Sequence, residues 1–277
     1  MKKIVFQSSE SDINSAKFDK FIQSFVDLEI LHLNFKKLQD CNGLVTSLTT
    51  CKKLKELDLR GTRLQDSDMA LIASAMKKFT RLKILNLAKQ KIMAKDISET
   101  FAIALGSLFY LEKLWLPVGV GMAHSAKLII EQFQNLPNLR FLAMLEILDD
   151  DSIALLAKEA KYGNLKNLQR LDLQVNSNIT ESGWTTFFEQ AKDLPELKHL
   201  DISRMYTQQI KSHATTVTSF VKFVSRLPSL VNLLMYGWLL DEDDLNMFNA
   251  MKENHPQSKS LTIYWQWVLP FSPTIEH

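Results

Sequence analysis

The amino-acid sequence predicts an α/β fold built as one solenoid of about ten units, each a short strand, a turn and a helix. Three observations carry this. The pattern LxxLxL stands at Leu54, Leu57 and Leu59. Behind it Met69, Ile72, Ala73 and Met76 recur at i, i+3, i+4, i+7, one face of a helix. At Leu82 the pattern restarts. Carried through the chain, its first positions fall at Met1, Leu28, Leu54, Leu82, Leu111, Leu139, Leu168, Leu197, Leu230 and Ser258, spaced by 27, 26, 28, 29, 28, 29, 29, 33 and 28 residues. A spacing so regular over 277 residues is expected of one repeat domain (1–277), not of two globular ones. Its divisions are an N-terminal unit (1–27), central repeats (28–257) and a capping strand with tail (258–277).

The units follow in order. The first places Ile4 and Phe6 at core positions, with a helix face at Phe18, Phe21, Ile22 and Phe25. The second has Leu31 and Leu33, then Leu44, Leu48 and Cys51 on its helix. In the fourth, Leu85 and Leu87 precede Phe101, Ala104, Leu105 and Leu108. The fifth offers Leu114 and Leu116, then Ala126, Ile129, Ile130 and Phe133. Leu142 and Met144 lead the sixth, before Ile153, Leu156, Ala157 and Ala160. The seventh continues from LQRLDL to Trp184, Phe187, Phe188 and Ala191. The eighth carries an insertion within TQQIKSHATT, ahead of Val217, Phe220, Val221 and Val224, and repeat insertions become loops or longer helices on one face. The last unit shows only a strand, LTIYWQW, and the tail VLPFSPTIEH reads as a cap over its open edge. Asp66, Asp149 and Thr180 stand where a helix needs an N-cap acceptor. Pro137, Pro195 and Pro228 share one phase and stop each helix before the next strand.

At these positions the chain resembles the leucine-rich-repeat family, and its period with a full helix is similar to the ribonuclease-inhibitor-like class. The resemblance implies a right-handed horseshoe with a parallel β-sheet on the concave face and α-helices on the convex face. The family places Asn or Cys three residues past the last strand leucine, and here only Asn176 fits; Lys36, Thr62, Gln90, Gly119, Ile147, Met205 and Trp238 depart. Irregular turns are the expectation. The chain also looks like the leucine-rich-repeat effectors that intracellular bacterial pathogens deliver into host cells. That likeness implies a host protein as partner and the host cytosol as destination.

Composition excludes several classes. Lys+Arg number 33 and Asp+Glu 31, a near-balance that argues against nucleic acid as partner. No apolar run approaches the roughly 20 residues of a membrane span, and the MKKIVFQSSESD start lacks a signal-peptide core. Two cysteines are too few for a disulfide framework, so a reducing, cytosolic-type environment is expected. No histidine pair shows HxxxH spacing, and no metal or cofactor is expected. Gly119 and Gly121 read as a turn needing glycine torsions, and the acidic runs 149–151 and 241–244 as helix caps.

Strand side chains alternate, so residues between the core leucines face the concave side. There Trp115, Phe141 and Leu145 make an apolar patch. Beside it Arg170, Asp172, His199, Asp201 and Arg204 form a mixed-charge panel, and Tyr236, Tyr264 and Trp265 a second aromatic group. Packing beneath neighbouring loops competes with binding for Trp115 and Phe141, repeat ancestry for the LDL aspartates, and edge covering for Tyr264 and Trp265. Trp, Tyr and Arg dominate binding hot spots. The expected function is therefore a non-catalytic, monomeric scaffold that binds a protein through its concave face. Two alternatives stand beside it: a hydrolase or transferase using Asp172, His199 and Asp201, with Ser203 as nucleophile, and a homo-oligomeric structural protein.

Overall fold

A computed structural model describes residues 2–8, 13–14, 24–35, 38–39 and 42–266. Ten strands form one parallel sheet in chain order: β1 (Lys3–Ser8), β3 (Ile30–Phe35), β5 (Glu56–Asp58), β6 (Ile84–Asn86), β7 (Lys113–Trp115), β8 (Phe141–Ala143), β9 (Arg170–Asp172), β10 (His199–Asp201), β12 (Asn232–Leu234) and β14 (Thr262–Tyr264). Two small parallel pairs flank it, β2 (Ile13–Asn14) with β4 (Leu38–Gln39) and β11 (Ile210–Lys211) with β13 (Trp238–Leu239). The helices are α1 (Asn42–Leu48), α2 (Asp66–Met76), α3 (Lys95–Leu105), α4 (Val120–His124), α5 (Ala126–Glu131), α6 (Asp150–Lys161), α7 (Glu181–Gln190), α8 (Ala214–Ser225) and α9 (Glu242–Glu253).

The core lies between the sheet and the helix layer, where the strand leucines meet the apolar helix faces. Met69, Ile72, Ala73 and Met76 of α2 are all buried, as are Ile153, Leu156, Ala157 and Ala160 of α6. Trp184, Phe187, Phe188, Phe220, Phe223 and Trp238 join into one aromatic cluster in which Phe188 stacks on Phe220 with centroids 4.3 Å apart. Cys51 is buried, although α1 ends three residues before it, and burial pushes its thiol up from the ordinary value. The helix expected at Phe18, Phe21 and Ile22 and the capping tail VLPFSPTIEH lie outside the described residues.

The turns correct one expectation. Asn176 donates to the carbonyls of Leu173 and of Met144 in the preceding unit, and its Oδ1 accepts from Ile147 N and Leu148 N. Gln90 occupies the same repeat position and donates back to Leu59 O, while its Oε1 accepts from Leu64 N at 2.8 Å. Trp238, again in that phase, donates Nε1 to Ile202 O at 3.0 Å. All three tie the residue just past the strand of one unit to the next, so the turns at Gln90 and Trp238 are regular without the family's asparagine. The aspartate reading also needs correction at one helix. Asp149 and Thr180 cap α6 and α7, but Asp66 is the first residue of α2, and its carboxylate accepts from Met93 N and Ala94 N of the following unit. Gly119 has φ +111°, and a Cβ there would stand 2.6 Å from Ile92 O. The eighth-unit insertion folds as a 3-10 turn (Tyr206–Gln208) followed by β11.

Candidate functional site

The sheet register decides which inner-face residues are neighbours. Lys113, Phe141, Arg170, His199 and Asn232 form one row across adjacent strands; Trp115, Ala143, Asp172, Asp201 and Leu234 form the next. The Trp115 and Phe141 rings sit diagonally between these rows, with centroids 4.1 Å apart and planes at 32°. The guanidinium of Arg170 lies over the Phe141 ring, 5.4 Å from its centroid. Three predicted residues thus form one continuous stack, a cation–π contact extending an aromatic pair. Arg170 is exposed and both rings are half-buried.

Beside this stack is an open hollow of about 460 Å³. Trp115, Val118 and Leu145 give it apolar walls, Lys89 and Lys91 stand on one side, and Glu146 and Asp172 on the other. Leu145 therefore joins the patch as the alternation predicts. Lys89 and Lys91 were missed. Both follow the strand in the fourth unit, where the left-handed Lys89 (φ 64°) turns the chain, and sequence spacing gave no sign that the turn faces Trp115.

The mixed-charge panel divides differently. Asp172 is buried and accepts from the amide and side chain of Gln174. Burial, and then the neighbouring Asp201, push its carboxyl above the usual range. Asp201 is buried too and accepts from Ser203 N at 3.0 Å. Asp58 and Asn86 repeat this bond two residues onward, to Arg60 N and Ala88 N. The four side chains fasten the strand-to-turn corner in the manner of an Asx turn. Arg204 donates to Gln208 O and Ile179 O, holding the inserted turn. His199 meets Asn232 at 2.9 Å; burial, then Arg170 and Lys198, hold its imidazole below the ordinary value. Ser203 Oγ accepts from Tyr236 N. Ser203 and Asp201 meet through a backbone turn contact and His199 and Asp172 bond to other residues, whereas a nucleophile–base–carboxylate chain needs their side chains bonded to one another.

The second aromatic group is split. Thr262 pairs with Asn232, which makes the ninth unit two residues longer than the sequence spacing implies. Ile263 pairs with Leu233 and so takes the position that the sequence spacing assigns to Leu261. Tyr264 consequently stays on the inner face beside Leu234 and is exposed, whereas Trp265 takes a core position and packs against the core cluster. Tyr236 is half-buried at the turn after β12. Trp265 instead lines a hollow of about 660 Å³ with Tyr206, Gly237, Trp238 and Leu239. Among the described residues no group of His, Cys, Asp and Glu is placed to hold a metal ion, and no helix is long and apolar enough to cross a membrane.

Comparison with known structures settles the architecture. A chain in the crystal structure of the yeast Rad7–Elc1 complex superposes with TM-score 0.52 at 15% identity, over 99% of this chain and 79% of that one. The fold is a leucine-rich-repeat solenoid. No family model matches the chain. It is 46% identical over 269 residues to Baculoviral IAP repeat-containing protein 1b of Mus musculus, covering 97% of this chain and 18% of that protein. To Baculoviral IAP repeat-containing protein 1 of Homo sapiens it is 44% identical over 276 residues, covering 100% of this chain and 19% of that protein. The chain spans about a fifth of the length of these relatives. Both are mammalian, and the likeness to bacterial effectors gains no support from them.

Proposed function

We propose that this chain is a protein-recognition module that binds its partner on the concave sheet, centred on Trp115, Phe141 and Arg170. The observation that carries the reading is the half-buried aromatic pair, with the exposed Arg170 over it, beside an open hollow with apolar walls. Large apolar surfaces left open on a folded protein are most often interaction sites, and Trp and Arg are the side chains whose truncation costs most at interfaces. The ten strands, spaced by about 4.8 Å, span roughly 43 Å, enough for the ~800 Å² that each partner contributes to a standard interface. The buried aspartates, Arg204 and His199 serve the scaffold in this reading and leave the stack to do the binding.

The test is affinity capture with the full chain and with the double variant Trp115→Glu, Arg170→Glu, after thermal melts have shown that both are folded. Partners held by the wild type should be lost from the variant. An unchanged set of captured proteins would sink the concave-face reading.

A further inference from the structure

The geometry points to an acidic partner segment: an aliphatic or aromatic side chain flanked by Asp or Glu, seated in the hollow between Trp115 and Leu145. This rests on the concave-face reading and gives it a chemistry. Four exposed cations surround the two aromatic rings. Lys113 and Arg170 flank Phe141 on the adjacent strands, and Lys89 and Lys91 rim the hollow beside Trp115. None of the four has an ion pair among the described residues. Lys53, Lys55, Lys83 and Lys127 are paired, with Asp27, Glu29, Glu112 and Asp151, while Lys77, Lys78 and Lys166 elsewhere on the surface also stand without an ion pair among the described residues. What marks the site is that four exposed cations gather around one apolar patch with Glu146 as the exposed acid of its hollow, in a chain whose total charge is only +2.

The two acids at the hollow do not cancel these four charges. Asp172 is buried and turned to Gln174, and only Glu146 is exposed. A phosphate backbone would bring a row of charges against both, whereas a peptide can place its apolar residue there and its carboxylates over the lysines. Complementary charges at such a rim set encounter rate and partner choice, while the desolvated anchor supplies affinity.

The experiment is selection of a random peptide display library on the full 277-residue chain, followed by anisotropy titration of a labelled synthetic consensus peptide. The expected peptides carry Asp or Glu on both sides of an aliphatic or aromatic residue. Their binding should weaken about tenfold or more in Trp115→Ala and in Lys89→Glu with Lys91→Glu, and fall with added salt. A peptide with lysines in place of its acids should regain affinity for the charge-reversed chain, which a merely misfolded variant could not provide. Selected peptides without acids that still depend on Trp115 would overturn the acidic class and leave the concave-face reading standing. Peptides indifferent to Trp115 and to both lysines would overturn both, and tighter binding of single-stranded DNA than of peptide would overturn the choice of a protein segment.

Discussion

Asn176 uses both ends of its amide, donating to Met144 O and Leu173 O and accepting from Ile147 N and Leu148 N, all buried. Truncation to Ala would leave four backbone groups without a partner, each costing on the order of 1 kcal/mol or more. Asn176→Ala should therefore lower stability by at least about 3 kcal/mol in urea unfolding. Its neighbour Val175 has φ +64°, a left-handed conformation disfavoured for a β-branched residue. Glycine holds the same repeat position at Gly61 and Gly237. Val175→Gly keeps the amide that donates to Ser203 O and should raise stability by about 1 kcal/mol, seen as a higher melting temperature. A third residue-scale outcome concerns pH. With its folded carboxyl raised by burial and Asp201, Asp172 holds its proton more tightly folded than unfolded. Its contribution is therefore favourable at low pH and is lost as pH rises from the ordinary aspartate value, about 4, through the raised one. Asp172→Asn should stabilise the chain at neutral pH and lose that advantage below about pH 4; a gain independent of pH would contradict the ionisation account. The role of Asn176 was legible, as the one residue at the family's asparagine position, whereas those of Val175 and Asp172 were not. Gln90 and Trp238 replace the family asparagine because their donors reach one unit back, and reach across units is a tertiary property. Asp172 and Asp201 show the same difficulty: alternation places them on the inner face, while the turn that follows buries them.

At the scale of elements, the helix starts are linked from unit to unit. The first helical residue accepts from backbone just ahead of the next helix: Asp66 from Met93 and Ala94, Asp150 from Thr180, Glu181 from His213. Asp150 also takes the Thr180 hydroxyl at 2.6 Å. Asp150→Ala should cost about 1–2 kcal/mol, comparable to loss of a helix cap, and hydrogen exchange should speed up in the first turn of α7 more than in α6. Periodicity made the strands and helix faces legible because each unit buries one face in the same way. It also placed the Trp115, Phe141 and Leu145 patch, since side-chain alternation needs no knowledge of the turns. It failed by one residue at Asp66, where an acid suits either the cap or the first turn, and by two at β14, where Ile263 and not Leu261 pairs with Leu233. Trp265 moved from the inner face to the core for that reason alone.

Over the whole molecule, a solenoid unit touches only its neighbours, so stability is the sum of local interfaces and damage is transmitted stepwise. The aromatic cluster concentrates packing at one end of the described chain. Phe188 contacts the rings of Trp184, Phe187, Phe220, Phe223 and Trp238, which come from α7, α8 and β13. The concave stack of Trp115 and Phe141 belongs to units in front of this cluster, and strand pairing from β7 to β10 connects the two. Phe188→Ala removes a fully buried ring and should cost about 3–5 kcal/mol. Hydrogen exchange should then show loss of protection across α7 and α8, with β5, β6 and α2 close to wild type. Binding at Trp115 should weaken less than the loss of stability, because the strands that carry the stack keep their own helices. Uniform loss of protection from α2 to α9 would instead show one cooperative unit, in which a lesion at Phe188 reaches the concave stack undiminished.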